Sequence, residues 1–216
     1  LVTLCLRGDL FCFCVTSVTN YDLRFTKDNY SMNSHPKILQ REKAALLVID
    51  IQERILPVIF EHERVVENTL KLINGFKILN VPIYYTEQYP KGLGPTESKI
   101  KSALENTEAI QKMTFSCYGA GDLFDDLKRK GIEQVVVCGI ESHVCVLQTV
   151  LDLLAQDFQV HLVADAVSSR RKFDYEIALR RMESNGAEVT LTESVLFELL
   201  NVCGTDEFKA VSKLVK

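Results

Sequence analysis

The chain has 216 residues, of which 47% are hydrophobic and 25% charged, values that fit one soluble globular domain with some additional length. Lys and Arg total 25 against 29 Asp and Glu, a formal net charge of −4, so neither nucleic acid nor an acidic membrane surface is indicated as a partner. The seven cysteines lack a repeated CxxC spacing and the four histidines are dispersed, so we expect no structural zinc site and reduced thiols in a cytosol-like compartment.

The first 42 residues are expected to form an N-terminal extension outside the fold. Arg7 and Asp9 interrupt the apolar start, so no run approaches the roughly 20 residues that span a bilayer. These charges lie within the apolar region and not before it, which argues against a signal peptide. Because the sequence begins with Leu, we take Met32 as a candidate start and residues 43–216 as the domain. We expect a cytoplasmic protein, with a mitochondrial location as the alternative.

The first predicted strand begins at Ala44, where AALLVIDI forms the continuous apolar run of a buried parallel strand. Asp50 follows this run, and two interpretations of it stay open. It is either a functional carboxylate at the end of a strand, or a turn former and cap for the next helix. Apolar residues at helical spacing then predict a helix over 62–79, and a second strand is predicted over 81–86.

The loop EQYPKGLGP, residues 87–95, contains two Pro and two Gly and is predicted to be irregular. At the carboxyl end of a strand it forms either a pocket wall or a plain surface turn. Lys112 follows a polar stretch at 97–111. A lone Lys is usually a solvated surface charge, so its position alone assigns it no function.

The stretch EQVVVCGIESHVCVLQ, residues 133–148, joins a buried strand to a helix through a short turn. Cys145 then falls in the first turn of the helix, outside the carboxyl end of the strand, where open parallel sheets bind their ligands. The positive end of the helix dipole favours a thiolate there. A small buried hydrophobic residue is the alternative interpretation of this Cys.

Further strands are predicted at 160–164, ending before Asp165, and at 187–191. Helices are predicted at 122–130, from the turn to about 156, at 173–184, after Thr192 or Ser194 as a cap, and at 208–216. This alternation favours a parallel sheet covered on both faces. Neither GxGxxG nor GxxxxGK[ST] occurs, so no dinucleotide or P-loop cofactor is indicated, and we expect no cofactor.

Asp50, Lys112 and Cys145 are all predicted at the carboxyl edge of this sheet. A nearby ammonium favours a thiolate, and a carboxylate can accept the thiol proton and return it to a leaving group. Together the three residues therefore predict nucleophilic catalysis better than each does alone.

The chain resembles the isochorismatase-like cysteine hydrolases, and among them the isochorismatase-domain-containing proteins more than the nicotinamidases. The resemblance covers residues 43–216 and rests on the motifs LLVIDIQ, TEQYPKGLGPT, QKMTFS, CGIESHVCVLQT, SRRKFDYEIALRRM and TESVLFELL. It implies a six-stranded parallel sheet in a three-layer α/β/α sandwich and a homo-oligomer. It also implies Asp50 as general base, Lys112 as the activating cation and Cys145 as nucleophile.

A cis peptide between Ile140 and Glu141 is implied as well, with the N–H groups of Glu141 and Cys145 forming an oxyanion hole. Gln52, Glu87, Gln88 and Tyr89 are expected to line the substrate pocket. Nicotinamidases carry a metal-binding Asp/His/His group, whereas the corresponding loop here contains no His, so we expect no metal.

Two classes of function follow. The first is a metal-independent cysteine hydrolase that acts on a small amide-like substrate through a thioester. The second is a non-catalytic binding or oligomerisation module that retains the fold. A redox pair of Cys138 and Cys145 is a weaker third hypothesis, because Cys138 lies inside the predicted strand.

Overall fold

The structure, a computed structural model, describes residues 35–216. The predictions for residues 1–34 and for Met32 therefore lie outside the described residues. The compact unit runs from His35 to Lys216, so it includes residues 35–42, which were predicted to lie outside the domain. Leu39 is fully buried in the core, and the backbone N–H of Gln40 donates to Oε1 of Gln134 over 2.7 Å. These contacts attach the segment before the first strand to the domain.

Six parallel strands form one sheet, as predicted. They are β1 Ala44–Ile49, β2 Ile83–Gln88, β3 Ile110–Lys112, β4 Gln134–Ile140, β5 Gln159–Ser168 and β6 Glu188–Thr190. Their order in the sheet is β3-β2-β1-β4-β5-β6, and all pairs are parallel.

The helices of the described part are α1 His62–Ile78, α2 Pro90–Leu93, α3 Ser98–Ala103, α4 Leu123–Arg129, α5 Leu147–Ala155, α6 Lys172–Ser184, α7 Thr192–Leu200 and α8 Asp206–Leu214. Short 3₁₀ turns lie at Leu56–Val58 and Cys117–Gly119, and a π-helical turn at Ser142–Val146 precedes α5. Within the described residues, no helix is long and apolar enough to cross a membrane.

The side chains of β1 alternate between two hydrophobic cores, because successive strand residues point to opposite faces of a sheet. Leu46 and Val48 pack in the core built with α1, α3, α7 and α8. Leu47 and Ile49 pack in the other core, built with α4, α5 and α6. A sheet buried by helices on both faces is the predicted three-layer sandwich, which the structure confirms.

The site lies where the strand order reverses. The chain proceeds from β1 through β2 to β3 on one side and from β4 through β5 to β6 on the other, which leaves a crevice at the carboxyl ends of β1 and β4. Ile49 pairs with both Thr86 and Gly139, so Asp50 follows directly beside β2 and β4.

Gly139 allows the close approach of these strands. Its φ is +124°, and a Cβ atom built there would overlap the carbonyl oxygen of Ile49 and lie 2.7 Å from the nitrogen of Ile49. A residue with a side chain therefore cannot occupy this position without moving β1, and with it Asp50.

One strand is longer than predicted. Asp165 lies inside β5 and does not end it. Its Oδ1 accepts hydrogen bonds of 2.9 Å from the N–H and the hydroxyl of Thr192. Asp165 thus caps α7 from a neighbouring strand, and neither Thr192 nor Ser194 acts as the predicted side-chain cap, since the N-cap position is Leu191.

Candidate active site

Asp50 lies at the carboxyl end of β1 with a left-handed backbone, φ 51°, and is 3% exposed. Thr86 donates its hydroxyl to Oδ1 over 2.7 Å, and Lys112 donates to Oδ2 over 2.6 Å. Both carboxylate oxygens are therefore held in place, and the carboxylate is not turned back to cap a helix.

Lys112 ends β3 and its side chain is fully withdrawn from solvent. Besides Asp50, its ammonium donates to Oε1 of Gln88 over 2.8 Å and to the carbonyl oxygens of Thr114 and Phe115 over 3.1 and 2.9 Å. The interpretation of Lys112 as a solvated surface charge is wrong. A buried cation with this many acceptors is a built feature of the site.

Cys145 lies in the π-helical turn after β4, is 7% exposed, and lines the same cavity as Asp50. Burial raises the pKa of its thiol well above the ordinary value, and the neighbouring Asp50 carboxylate raises this pKa further, while the charge of Lys112 opposes the shift. This direction is opposite to the predicted lowering of the pKa by the helix dipole. Because Lys112 is already paired with Asp50, desolvation of the thiolate dominates. Burial thus favours the thiol over the thiolate, and the Asp50 carboxylate, itself one cause of the raised pKa, lies beside it as a proton acceptor.

A cis peptide bond joins Ile140 and Glu141, as predicted. The carbonyl oxygen of Glu141 accepts hydrogen bonds from the N–H groups of Val144 and Val146 over 3.0 and 3.2 Å, which fixes the turn. The cis bond places the N–H of Glu141 directly after β4, at the edge of the sheet where Cys145 lies.

A cavity of about 210 Å³ opens beside Cys145. Ten residues line it: Asp50, Ile55, Gln88, Leu93, Phe115, Ile140, Glu141, Val144, Cys145 and Arg170. It is smaller than the roughly 300–1,000 Å³ of most drug-sized ligand sites, so its size suits a small molecule.

Of the four residues predicted to line the pocket, only Gln88 does so. The amide of Gln52 is fully buried and bonds to the backbone, donating to the carbonyl oxygens of Gln88 and Gly94 and accepting from the N–H of Gln88. Oε1 of Glu87 accepts two hydrogen bonds of 2.8 Å from Thr96. The Tyr89 side chain is 45% exposed and does not line the cavity. Gln52, Glu87 and Tyr89 thus do not line this cavity, and the first two brace the loop instead.

Arg170 and most of the apolar residues that line the cavity were not predicted as site residues from the sequence. Arg170 follows β5 and donates its Nε and its backbone N–H to Oε2 of Glu141 over 2.9 and 3.1 Å. The basic run at 170–172 after a strand was the available signal. Ile55, Leu93, Phe115 and Val144 carry no chemistry that distinguishes them from other apolar residues.

The residues at this edge do not fit a nicotinamidase-like metal site. The Glu87 carboxylate is turned towards Thr96, and the loop over 87–95 has no His. Among the described residues, no group of three or more His, Cys, Asp or Glu side chains is arranged to hold a metal ion.

Comparison with known proteins agrees with this geometry. The isochorismatase domain model matches residues 44–194. The secreted isochorismatase effector Isc1 of Phytophthora sojae is 40% identical over 182 residues, covering 80% of this chain and 84% of that protein. Isochorismatase domain-containing protein 2 of Danio rerio is 39% identical over 178 residues, covering 82% and 89%.

Among solved structures, the MAR1 ribonuclease from Caenorhabditis elegans is similar with a TM-score of 0.78 and 39% identity. The match covers 82% of this chain and 91% of that chain. The similarity therefore extends over the sheet, both helical layers and the segments that carry the site.

Proposed function

The chain belongs to the isochorismatase domain family, and on this premise we propose that it is a metal-independent cysteine hydrolase of a small amide. One observation carries the proposal. Cys145 and Asp50 face the same small cavity, while Lys112 and Thr86 hold the Asp50 carboxylate from behind. A buried nucleophile next to a fixed base is the arrangement that covalent catalysis needs.

The first half of the reaction forms a thioester. Sγ of Cys145 attacks the amide carbonyl carbon while its proton passes to Asp50. The raised pKa of the thiol is therefore no obstacle, because no free thiolate has to form before the attack. The carbonyl oxygen takes up the negative charge, and the N–H groups of Glu141 and Cys145 stabilise it. The C–N bond then breaks, and Asp50 returns the proton to the leaving amine.

The second half regenerates the enzyme. Asp50 accepts a proton from a water molecule as the water attacks the thioester carbonyl, and the C–S bond breaks. The proton held by Asp50 goes to the sulfur, and the substrate leaves as a carboxylic acid. Lys112 keeps the Asp50 side chain in place throughout and balances its charge in the buried site.

RNA cleavage is a second candidate, because the MAR1 neighbour is named a ribonuclease. The site offers little for it. Recognition of a phosphodiester chain relies on free cationic groups, whereas Lys112 and Arg170 are each paired with a carboxylate. The whole chain also carries a net charge of −4. These charges favour the amide.

The test is turnover of a panel of small primary amides, followed by ammonia release, with RNA and isochorismate as two further substrates. We expect at least one amide to be hydrolysed, and Cys145→Ala to lower the rate about 10³-fold or more. Cys203→Ser, at an exposed cysteine, is the matched control and should keep the rate of the wild type.

Each other outcome contradicts the proposal in a defined way. Undiminished hydrolysis by Cys145→Ala excludes the nucleophile. RNA degradation without amide hydrolysis favours a nuclease. Binding of amides without any turnover favours the non-catalytic module. The homo-oligomer and the cytoplasmic location stay predictions, which light scattering and imaging of the tagged full chain would check.

A further inference from the structure

The charged groups around the cavity form two closed pairs. Lys112 and Asp50 are the first pair, joined over 2.6 Å. Arg170 and Glu141 are the second, joined over 2.9 Å. The Glu141 side chain is 12% exposed and the Arg170 side chain 56%, so the carboxylate is largely shielded from water while the guanidinium keeps part of its hydration. Oε2 of Glu141 accepts hydrogen bonds from Nε and from the backbone N–H of Arg170.

The remaining polar group of the lining is also occupied. Oε1 of Gln88 accepts from Lys112, and its Nε2 donates to the carbonyl oxygen of Met113 over 3.0 Å. The other lining residues are apolar: Ile55, Leu93, Phe115, Ile140 and Val144. The adjoining hollow shares Arg170 and adds one more charge of each sign, Arg171 and Asp174. A charged substrate would therefore lose its hydration without finding a free counter-charge.

From this arrangement, and resting on the proposed amide hydrolysis, we propose that the site selects small uncharged amides. The Glu141 side chain is the residue that sets this preference, because it cancels the charge of Arg170 at the cavity wall. Without that carboxylate, the same wall would present a free guanidinium and attract anions. Glu141 thus has two separate roles in this proposal. Its backbone N–H stabilises the oxyanion, and its side chain determines specificity.

Alkylation by iodoacetamide and iodoacetate tests this proposal without requiring turnover. The two reagents deliver the same reactive carbon, but only iodoacetate carries a charge. Peptide mass spectrometry measures the alkylation rate of each cysteine with each reagent. The quantity compared is the rate with iodoacetamide divided by the rate with iodoacetate at Cys145, normalised to the same ratio at the exposed Cys203. In the wild type we expect the ratio at Cys145 to be about ten times the ratio at Cys203, in favour of the neutral reagent.

The variants form a charge cycle. Glu141→Gln should shift the ratio at Cys145 about tenfold towards iodoacetate, and Arg170→Gln should shift it away from iodoacetate. The double variant Glu141→Gln with Arg170→Gln should return to the ratio of the wild type. The opposite shifts in the two single variants are independent tests, so the proposal is falsifiable even where one of them unfolds.

Turnover separates this inference from the proposed function. Succinamide and succinamate have the same shape and differ by one charge, and butyramide and 3-aminopropanamide form the corresponding cationic pair. We expect the neutral member of each pair to be hydrolysed faster. Faster hydrolysis of succinamate, an unchanged ratio in Glu141→Gln, or a Cys145 that reacts with neither reagent overturns the inference. Neutral preference in alkylation without hydrolysis of any amide overturns the proposed function alone.

Discussion

The ammonium of Lys112 lies 2.6 Å from Oδ2 of Asp50, and the two side chains are 0% and 3% exposed. Removing both charges from water costs several kcal/mol for each ion, and mutual attraction offsets this cost only with good geometry and further hydrogen bonds. Thr86 and Gln88 supply such bonds. A buried ion pair of this kind is weak evidence for stability, and its value here is a carboxylate held at a defined position beside Cys145.

Lys112→Met should lower the free energy of unfolding by about 3–5 kcal/mol, because it leaves the Asp50 carboxylate buried and unpaired. The double variant Lys112→Met with Asp50→Asn should recover about half of that loss, since no uncompensated charge remains. Urea denaturation monitored by circular dichroism measures both. Equal stabilities of the single and double variants would show that the ion pair is not what the substitution disturbs.

Thr86→Val should lower kcat about 10–100-fold and change KM little, because the Asp50 carboxylate loses the hydroxyl donor on Oδ1. Valine has nearly the same shape as threonine, but it also loses the 3.8 Å contact between the hydroxyl and Sγ of Cys117. Thr86→Ser restores the hydroxyl and should recover most of the rate. If the role of Thr86 were only structural, Thr86→Ser, which lacks the methyl group, would have a lower kcat than Thr86→Val.

Gly139→Ala should destabilise the domain by more than about 3 kcal/mol, because the added Cβ overlaps the backbone of Ile49. Gly186→Ala is the matched control. Gly186 also has a positive φ, 106°, but a Cβ there meets nothing within 4 Å, so only the backbone conformation is penalised, at about 1 kcal/mol. Thermal and urea unfolding of both variants give the comparison. Similar losses would mean that the close approach of β4 to β1 is not the constraint.

Stability should fall in acid because of His161, which is 2% exposed. Burial lowers the pKa of this ring to about 4 in the folded protein, against about 6.5 in the unfolded chain. Between these values the unfolded state binds more protons, so stability present above about pH 6.5 is lost as the pH falls to about 4, by about 3 kcal/mol. His161→Gln should remove this part of the pH dependence. Parallel slopes for the two proteins between pH 7 and 4.5 would contradict it.

The parts of the site that could be predicted from the sequence are those encoded locally. The predicted order of strands and loops placed Asp50, Lys112 and Cys145 at one edge of the sheet, and the family resemblance added their roles. The role of Glu87 could not be predicted in this way. Its carboxylate accepts hydrogen bonds from Thr96, which comes close to it only because the loop between them folds back. The pKa of Cys145 was also inaccessible, since it depends on how deeply the finished fold buries the thiol.

The pairing of Glu141 with Arg170 was missed for a related reason. The two residues lie on different loops, after β4 and after β5, and only the parallel order of these strands brings them together. Glu141 stands in the motif that contains Cys145, whereas Arg170 is the first of three consecutive basic residues that the sequence does not distinguish from one another.

The amide of Gln52 bonds to the backbone at Gln88 and at Gly94, the two ends of the segment that contributes Leu93 to the cavity. The residue that anchors this wall is thus distinct from the residue that faces the substrate. Substitutions at position 93 should consequently change which small molecules fit the cavity, while Gln52 preserves the path of the chain. Because the anchoring residue and the lining residue are different, the shape of the cavity can be varied in small steps at position 93 without changing Asp50, Lys112 or Cys145.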